Sequence, residues 1–456
     1  MSEISTRINT PSVHRLQAIR NSLRFVTDPI SVLDKQLQEM GPTFFTYIGG
    51  VYKGLLTTEP ELIQHVLQKH HRIYRRSPMH FDKLSHFLGH GLLTSEGDYW
   101  LRQRRLIQPG FHRLRLAALT DIMQGVIDQF LDQFDRELER NNNTIDLYPK
   151  MMELAFHIVA RSLFSANIKE EELQRLSSII TTLQEFIIRQ IRQPYLNWWF
   201  NMSGQLQRHE MLAREFDEIV LGIIHKRRLR EEIHDDLLQM LLDSRYEDTG
   251  EGMTDRQLLE ESAILFVAGH ETTANALSWT WHLLSQHPEI AAKARAEIDR
   301  VLGGRKPAFE DLPQLEYITQ IIEESMRLYP PAWITDRIAT EDDEFEGLHI
   351  PKGVVVVTYF YGVHRSEHLW QNPHQFDPDR FSKHNKKMHT PYAYLPFGGG
   401  PRLCIGNNFA IMEMQLVLTA MLQRYDFTPA PDHLVTPQAL ITLRPRYGVR
   451  MGVKAR

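Results

Sequence analysis

Apolar positions recur mainly at helical spacing from about Leu116 to Ile290, which predicts a run of helices across the middle of the chain. The longest is expected from about Asp255 to His287 and is apolar on most of its surface. Before this stretch the elements are shorter. Phe44–Ile48 and Tyr52–Leu56, split by Gly49-Gly50, read as a hairpin, and Pro60 to His70 reads as a short helix. Leu315 to Tyr329 is a further helix, stopped by Pro330-Pro331. The run Val354–Val357 is a buried strand. Asn407 to Arg424 returns to helix, and strand-like pieces follow around Leu440–Leu443. The class is mainly α with minor β.

Length alone would suit about three average domains on a prior of roughly 150 residues each. No linker, repeat or low-complexity stretch offers a boundary, so one domain over residues 1–456 is expected, with 1–25 loosely ordered. Hydrophobic residues at 42% and charged residues at 24% are ordinary for a globular protein, and a net charge of −5 gives no pull toward nucleic acid. The polar N-terminus lacks a signal-like apolar core and a membrane span. Trp198-Trp199-Phe200 reads as core or channel lining in preference to a cluster dipping into a membrane surface. A single cysteine excludes an internal disulfide and fits a reducing, cytoplasmic setting.

That cysteine, Cys404, lies in Phe397-Gly-Gly-Gly-Pro-Arg-Leu-Cys-Ile-Gly406. Glycines let the backbone approach a flat, bulky group and adopt positive φ. Arg402 is placed to pair with a carboxylate on the edge of such a group. A lone cysteine is more often a small buried hydrophobe, but Phe397, Gly400, Arg402 and Gly406 at fixed offsets favour an axial ligand. On haem iron a thiolate pushes electron density toward bound dioxygen. The string resembles the haem-binding loop of the cytochrome P450 superfamily, Phe-x-x-Gly-x-Arg-x-Cys-x-Gly, at every defined position.

Three further strings match that family in order. Ala268-Gly-His-Glu-Thr-Thr273 falls within the long helix, where Ala268 and Thr272 share a face and the Thr272 hydroxyl can bond back to the Ala268 carbonyl. The resemblance implies that Thr272, with Glu271 as its acidic neighbour, relays protons. Glu324-Ser-Met-Arg327 places two charges at i, i+3. The family pattern makes them a buried structural pair joined by Arg380. Trp100 and Arg104 share a helix face, and their N–H groups suit a carboxylate. The resemblance places both on a haem propionate, with Arg337 and Arg402 in similar positions.

What the resemblance implies is a helix-rich triangular prism with small β-sheets, holding haem b through the Cys404 thiolate. The activity expected is a monooxygenase that inserts one oxygen atom of O2 into a C–H bond of a hydrophobic molecule such as a fatty acid, terpenoid or polyketide. The pocket is expected to be apolar. Its lining would come from Phe87, Leu92 and Leu93; from Phe186; from Ala263, Phe266 and Val267; and from Ala332, Trp333 and Ile334, with Leu440 and Ile441 as a cap. Electrons would come from a ferredoxin or flavodoxin with a separate NAD(P)H reductase, docking by charge near Arg102, Arg105, Arg113 and Arg115. A monomer is expected. The rival readings are a peroxide-driven or non-oxidative haem-thiolate enzyme, and a haem sensor.

Overall fold

The structure is a computed structural model and describes residues 10–48, 52–165, 168–230 and 234–456. Contacts divide the chain into two compact units. The first comprises Met1–Pro78, Glu323–Cys404 and Pro437–Arg444. The second comprises Met79–Ile322, Ile405–Thr436 and Pro445–Arg456.

The first unit is built on a five-stranded sheet in the order Thr43–Ile48, Tyr52–Thr57, Val355–Thr358, Thr335–Ala339, Tyr74–Arg75. Its first two strands are the expected antiparallel hairpin, with Thr43 opposite Thr57 and Ile48 opposite Tyr52. The turn at 49–51 lies outside the described residues. Val355–Thr358 pairs parallel to one neighbour and antiparallel to the other, and all four of its residues are buried. A strand covered on both faces reads as a continuous apolar run rather than an alternation, which is why the valines stand side by side.

Two expectations for this unit are corrected. Residues 15–25 are not loosely ordered: Arg15–Phe25 is a helix. It is tied down by buried Val13 and Ala18 and by the Val13 N–H donating to the Phe45 carbonyl at 2.9 Å. The segment after Pro60 is not one α-helix. Pro60–Gln64 is α-helical, and His65–Lys69 widens into a π-turn closed by the His70 N–H on the His65 carbonyl at 2.8 Å.

The second unit is helical. Its axis is the helix Asp255–Gln286, within one residue of the expected span. Thr254 and Gln257 form a reciprocal capping box at its start, and Pro288 opens the next helix just past its end. Leu147–Phe164 packs along it, with Phe156 edge-on to Phe266 at 5.0 Å between centroids. Burying each such large side chain contributes roughly 1.5–3 kcal/mol. Asn407–Arg424 is helical as expected and begins directly after Gly406. Strands Pro437–Ala439 and Leu443–Pro445 flank the expected Leu440–Leu443 strand, most of which is instead a turn with Leu440 N–H on the Thr442 carbonyl.

Trp198 and Trp199 are exposed, at 60% and 47%, and only Phe200 of that trio is buried. This corrects the expectation of core or channel lining: on the short helix Asn197–Met202 the inward position falls to Phe200, which meets Phe186 at 5.3 Å. Among the described residues no helix is long and apolar enough to cross a membrane.

Candidate active site

In the first unit, the cysteine segment is a tight loop. The Cys404 N–H donates to the Phe397 carbonyl at 3.0 Å, and the Leu403 N–H to the Gly400 carbonyl at 3.0 Å. Gly398 and Gly400 take φ of +75° and +66°, a region that strongly favours glycine. At Gly400 a Cβ would collide with the Leu67 carbonyl, so the loop lies directly on the π-turn. At Gly398 a Cβ would meet nothing within 4 Å. The outcome is an exposed Cys404, flanked by partly buried Phe397 and Arg402.

In the same unit, Glu324 and Arg327 are both fully buried and paired through two short bonds, at 2.6 and 2.7 Å. Arg380 joins Glu324 at 3.3 Å, as expected. Burial pushes the Glu324 carboxyl above its usual range, and the two guanidiniums pull against it. Arg327 also donates to the carbonyls of His364, Pro373 and Gln375. Arg337 is buried on its strand, with Nη1 donating to the Asp336 carbonyl at 2.6 Å. Of the expected pocket residues in this unit, Ala332 and Ile441 are exposed, while Ile334 and Leu440 are half-buried. Trp333 is buried among Tyr359 and its neighbours, with its indole N–H on the Leu440 carbonyl at 3.0 Å. That bond ties the expected cap to the turn after Pro331.

In the second unit, the long helix is buried along most of its length but opens in the middle. Ala268 is exposed, and Val267, Gly269 and Thr272 are half-buried. Thr272 Oγ1 donates to the Ala268 carbonyl at 2.7 Å, and Thr273 repeats the pattern on Gly269 at 2.9 Å. Two such back-bonds in one turn compete with the helical ladder and favour a bend there. Glu271 is buried and accepts from Gln184 Nε2 at 3.0 Å. Gln184 carried no signal in the sequence, because its partner is 87 positions away. Burial pushes His270 down to about 4, so its ring is uncharged at neutral pH. Phe266 sits about 200° round the helix from Ala268. With no exposed surface, and with rings Phe156 and Phe164 against it, it is core rather than pocket, which corrects that expectation.

Trp100 is buried and Arg104 half-buried on the helix Gly97–Ile107. Arg104 Nε reaches Gln108 Oε1 at 3.4 Å. Phe87 and Phe186 meet edge-on at 6.0 Å. Leu92 is buried, its N–H donating to Glu261 at 2.9 Å, and Leu93 is half-buried. Burial raises the Glu261 carboxyl to about 7. A cavity of roughly 270 Å³ is lined in part by Phe87 and Ala263. Glu210, Arg214, Asp217, Arg256 and Glu260 also line it, with Arg256 bridging Asp217 and Glu260 at 3.3 and 2.7 Å. The acids and arginines sit on two helices whose local patterns gave no sign that their charged faces meet.

The cysteine loop of the first unit fits a haem bound through sulfur. The first unit presents one exposed Sγ on a loop with open space at Gly398. The second presents a small-residue gap at Ala268 in an otherwise buried helix, with a hydroxyl and a carboxylate beside it. At Gly406 an added Cβ would touch only the Phe111 ring, at 3.9 Å.

A family profile described as Cytochrome P450 matches residues 11–449. Pentalenene oxygenase of Streptomyces avermitilis is 32% identical over 443 residues, covering 97% of this chain and 95% of its own. Cyclooctat-9-en-7-ol 5-monooxygenase of Streptomyces melanosporofaciens is 32% identical over 382 residues, covering 84% and 82%. Cytochrome P450 72A13 of Arabidopsis thaliana is 32% identical over 425 residues, covering 91% and 82%.

Proposed function

The chain belongs to the cytochrome P450 family of haem-thiolate monooxygenases, and from that premise we propose that it hydroxylates a polycyclic terpenoid with electrons from a separate iron–sulfur or flavin protein. Cys404 carries this reading: an exposed sulfur, on a loop held by two positive-φ glycines, is shaped to reach a ligand rather than to fill a core. Cys404 would hold the haem iron through its thiolate. Trp100, Arg104, Arg337 and Arg402 would hold its propionates with indole and guanidinium N–H groups, and Phe397, Gly406 and Ala268 would leave room for the ring. Bound there, haem b would supply activation of O2 and transfer of one oxygen atom to a C–H bond.

The proton chemistry belongs to the chain. Thr272 Oγ1 holds a proton on the Ala268 carbonyl and can turn it outward, and Glu271, fixed by Gln184, is the acid that refills it. Thr272→Ala is therefore expected to keep haem content but to lower product formed per NADPH consumed, by roughly 10²-fold if relay acts as ordinary general acid catalysis. An unchanged product-to-NADPH ratio would remove Thr272 from this role.

The substrate class rests on two relatives, whose names specify pentalenene and cyclooctat-9-en-7-ol, and on Phe87, Phe186 and Leu93 in this chain. The charged cavity beside Phe87 would suit the hydroxyl of a partly oxidised substrate, with the apolar rings taking its hydrocarbon frame. Titrating the haem protein with polycyclic terpenoids, fatty acids and polyketides is expected to give the low-to-high spin Soret shift with the terpenoids first. A shift confined to fatty acids would reverse the assignment. For the electron donor, Arg105 and Arg115 are exposed, whereas Arg102 is engaged by Asp248 at 3.1 Å and by the Tyr246 ring. The Arg113 side chain lies outside the described residues. An acidic ferredoxin or flavodoxin thus has Arg105 and Arg115 as anchors.

A further inference from the structure

The π-turn beneath the cysteine loop carries a cluster that the oxygenase reading does not use. His65 Nε2 stands 2.7 Å from Asp343 Oδ2, and His70 Nδ1 stands 3.5 Å from Asp343 Oδ1. All three ligand-type atoms lie within 4.8 Å of one another. The Tyr74 hydroxyl donates to the same carboxylate at 2.7 Å. All four residues belong to the first unit.

Local geometry makes this arrangement. In an α-helix residues five apart point about 140° away from each other. Here the i→i+5 bond of the π-turn brings His65 and His70 into register, and their rings stack at 3.9 Å with 22° between planes. Such turns are uncommon and concentrate at functional sites. The carboxylate arrives from the hairpin Asp343–Phe345/Leu348–Ile350, and Phe345 covers the His65 ring edge-on at 5.0 Å. His65 and Asp343 are nearly closed to solvent, while the His70 side chain is 45% exposed, which leaves one side open for entry.

We propose that His65, His70 and Asp343 form a binding site for one divalent late transition ion, zinc in the first instance, with water in the fourth position. Two imidazoles and a carboxylate are a zinc-type donor set. Ligand atoms around tetrahedral zinc stand about 3.3 Å apart for bonds of about 2.0–2.1 Å; His70 Nδ1 stands 3.5 Å from Asp343 Oδ1, while His65 Nε2, hydrogen-bonded to Oδ2 at 2.7 Å, gives up that bond when it takes the ion. Tyr74 orients the carboxylate through its bond to Oδ2, as outer partners of metal ligands commonly do. The ion braces the turn whose Leu67 carbonyl abuts Gly400 of the cysteine loop.

The test uses tag-free, haem-loaded protein titrated with Zn2+ in calorimetry, alongside His70→Ala and His71→Ala. His71 is the neighbouring control, turned away onto the Gln68 carbonyl at 2.8 Å. Wild type and H71A are expected to bind one zinc tightly, and H70A to bind it more weakly by at least about 100-fold, beyond the 10–100-fold typical of losing an outer partner. Equal binding by wild type and H70A, or equal loss in H71A, would overturn the site. A normal carbon-monoxide spectrum confirms that H70A is folded. If it does not fold, zinc-soaked wild-type crystals measured at the zinc edge decide the matter: an anomalous peak among His65, His70 and Asp343 supports the site, and an empty map there refutes it.

Discussion

Cys404→Ser is expected to yield a folded chain that has lost both the thiolate-type carbon-monoxide spectrum and monooxygenation. Serine is near in size, Cys404 is exposed, and the loop is closed by backbone bonds on Phe397 and Gly400 that the substitution leaves alone. Circular dichroism and the thermal midpoint should therefore change little. What disappears is the soft, electron-donating ligand, and a hydroxyl oxygen is no substitute for it. Loss of groups that merely orient a metal ligand commonly costs about 10–100-fold, so loss of the ligand itself should exceed that and leave turnover at background. The sequence holds no second cysteine to take over. A thiolate-type band that survives in C404S would refute the assignment.

The parts of this fold that could be read from the chain are those whose causes are local. The helix Asp255–Gln286 announces itself through its near-continuous apolar surface, and Asn407–Arg424 begins where the glycine loop ends. The back-bond from Thr272 to Ala268 follows from spacing alone. What escaped is non-local. The π-turn at His65–Lys69 looks like ordinary helix because its partner, Asp343, stands 278 positions away. Glu271 looks solvated until Gln184 is placed beside it. The helix Arg15–Phe25 is too polar to declare itself and is ordered by the bridge to Phe45. The charged cavity beside Phe87 comes from faces that are each unremarkable alone. Oxygenase chemistry was thus legible where residues are close in sequence, and the specificity side was not, because it depends on which faces meet.

Arg327→Ala is expected to be the most damaging substitution away from the haem ligand. Exposed ion pairs at i, i+3 are worth only about 0.2–0.5 kcal/mol, but this one has no exposure on either side. Removing Arg327 strands Glu324 with only Arg380 at 3.3 Å and the Asp377 N–H at 3.0 Å. It also unpairs the carbonyls of His364, Pro373 and Gln375, and leaves a hole beside Trp370. Breaking a buried pair from one side costs about 3–5 kcal/mol, a large share of a typical margin of about 5–15 kcal/mol. Lysine should not rescue it, because one ammonium cannot span the fork that serves Glu324 and three carbonyls. Arg380→Ala removes a longer bond to Glu324 and one to the Asn372 carbonyl at 2.9 Å from a group nearer the surface, and should cost less, about 1.5–3 kcal/mol. Urea unfolding of the three variants should rank wild type above R380A above R327A, with R327K close to R327A. A wild-type midpoint for R327A would mean that the Glu324 network does not hold the fold.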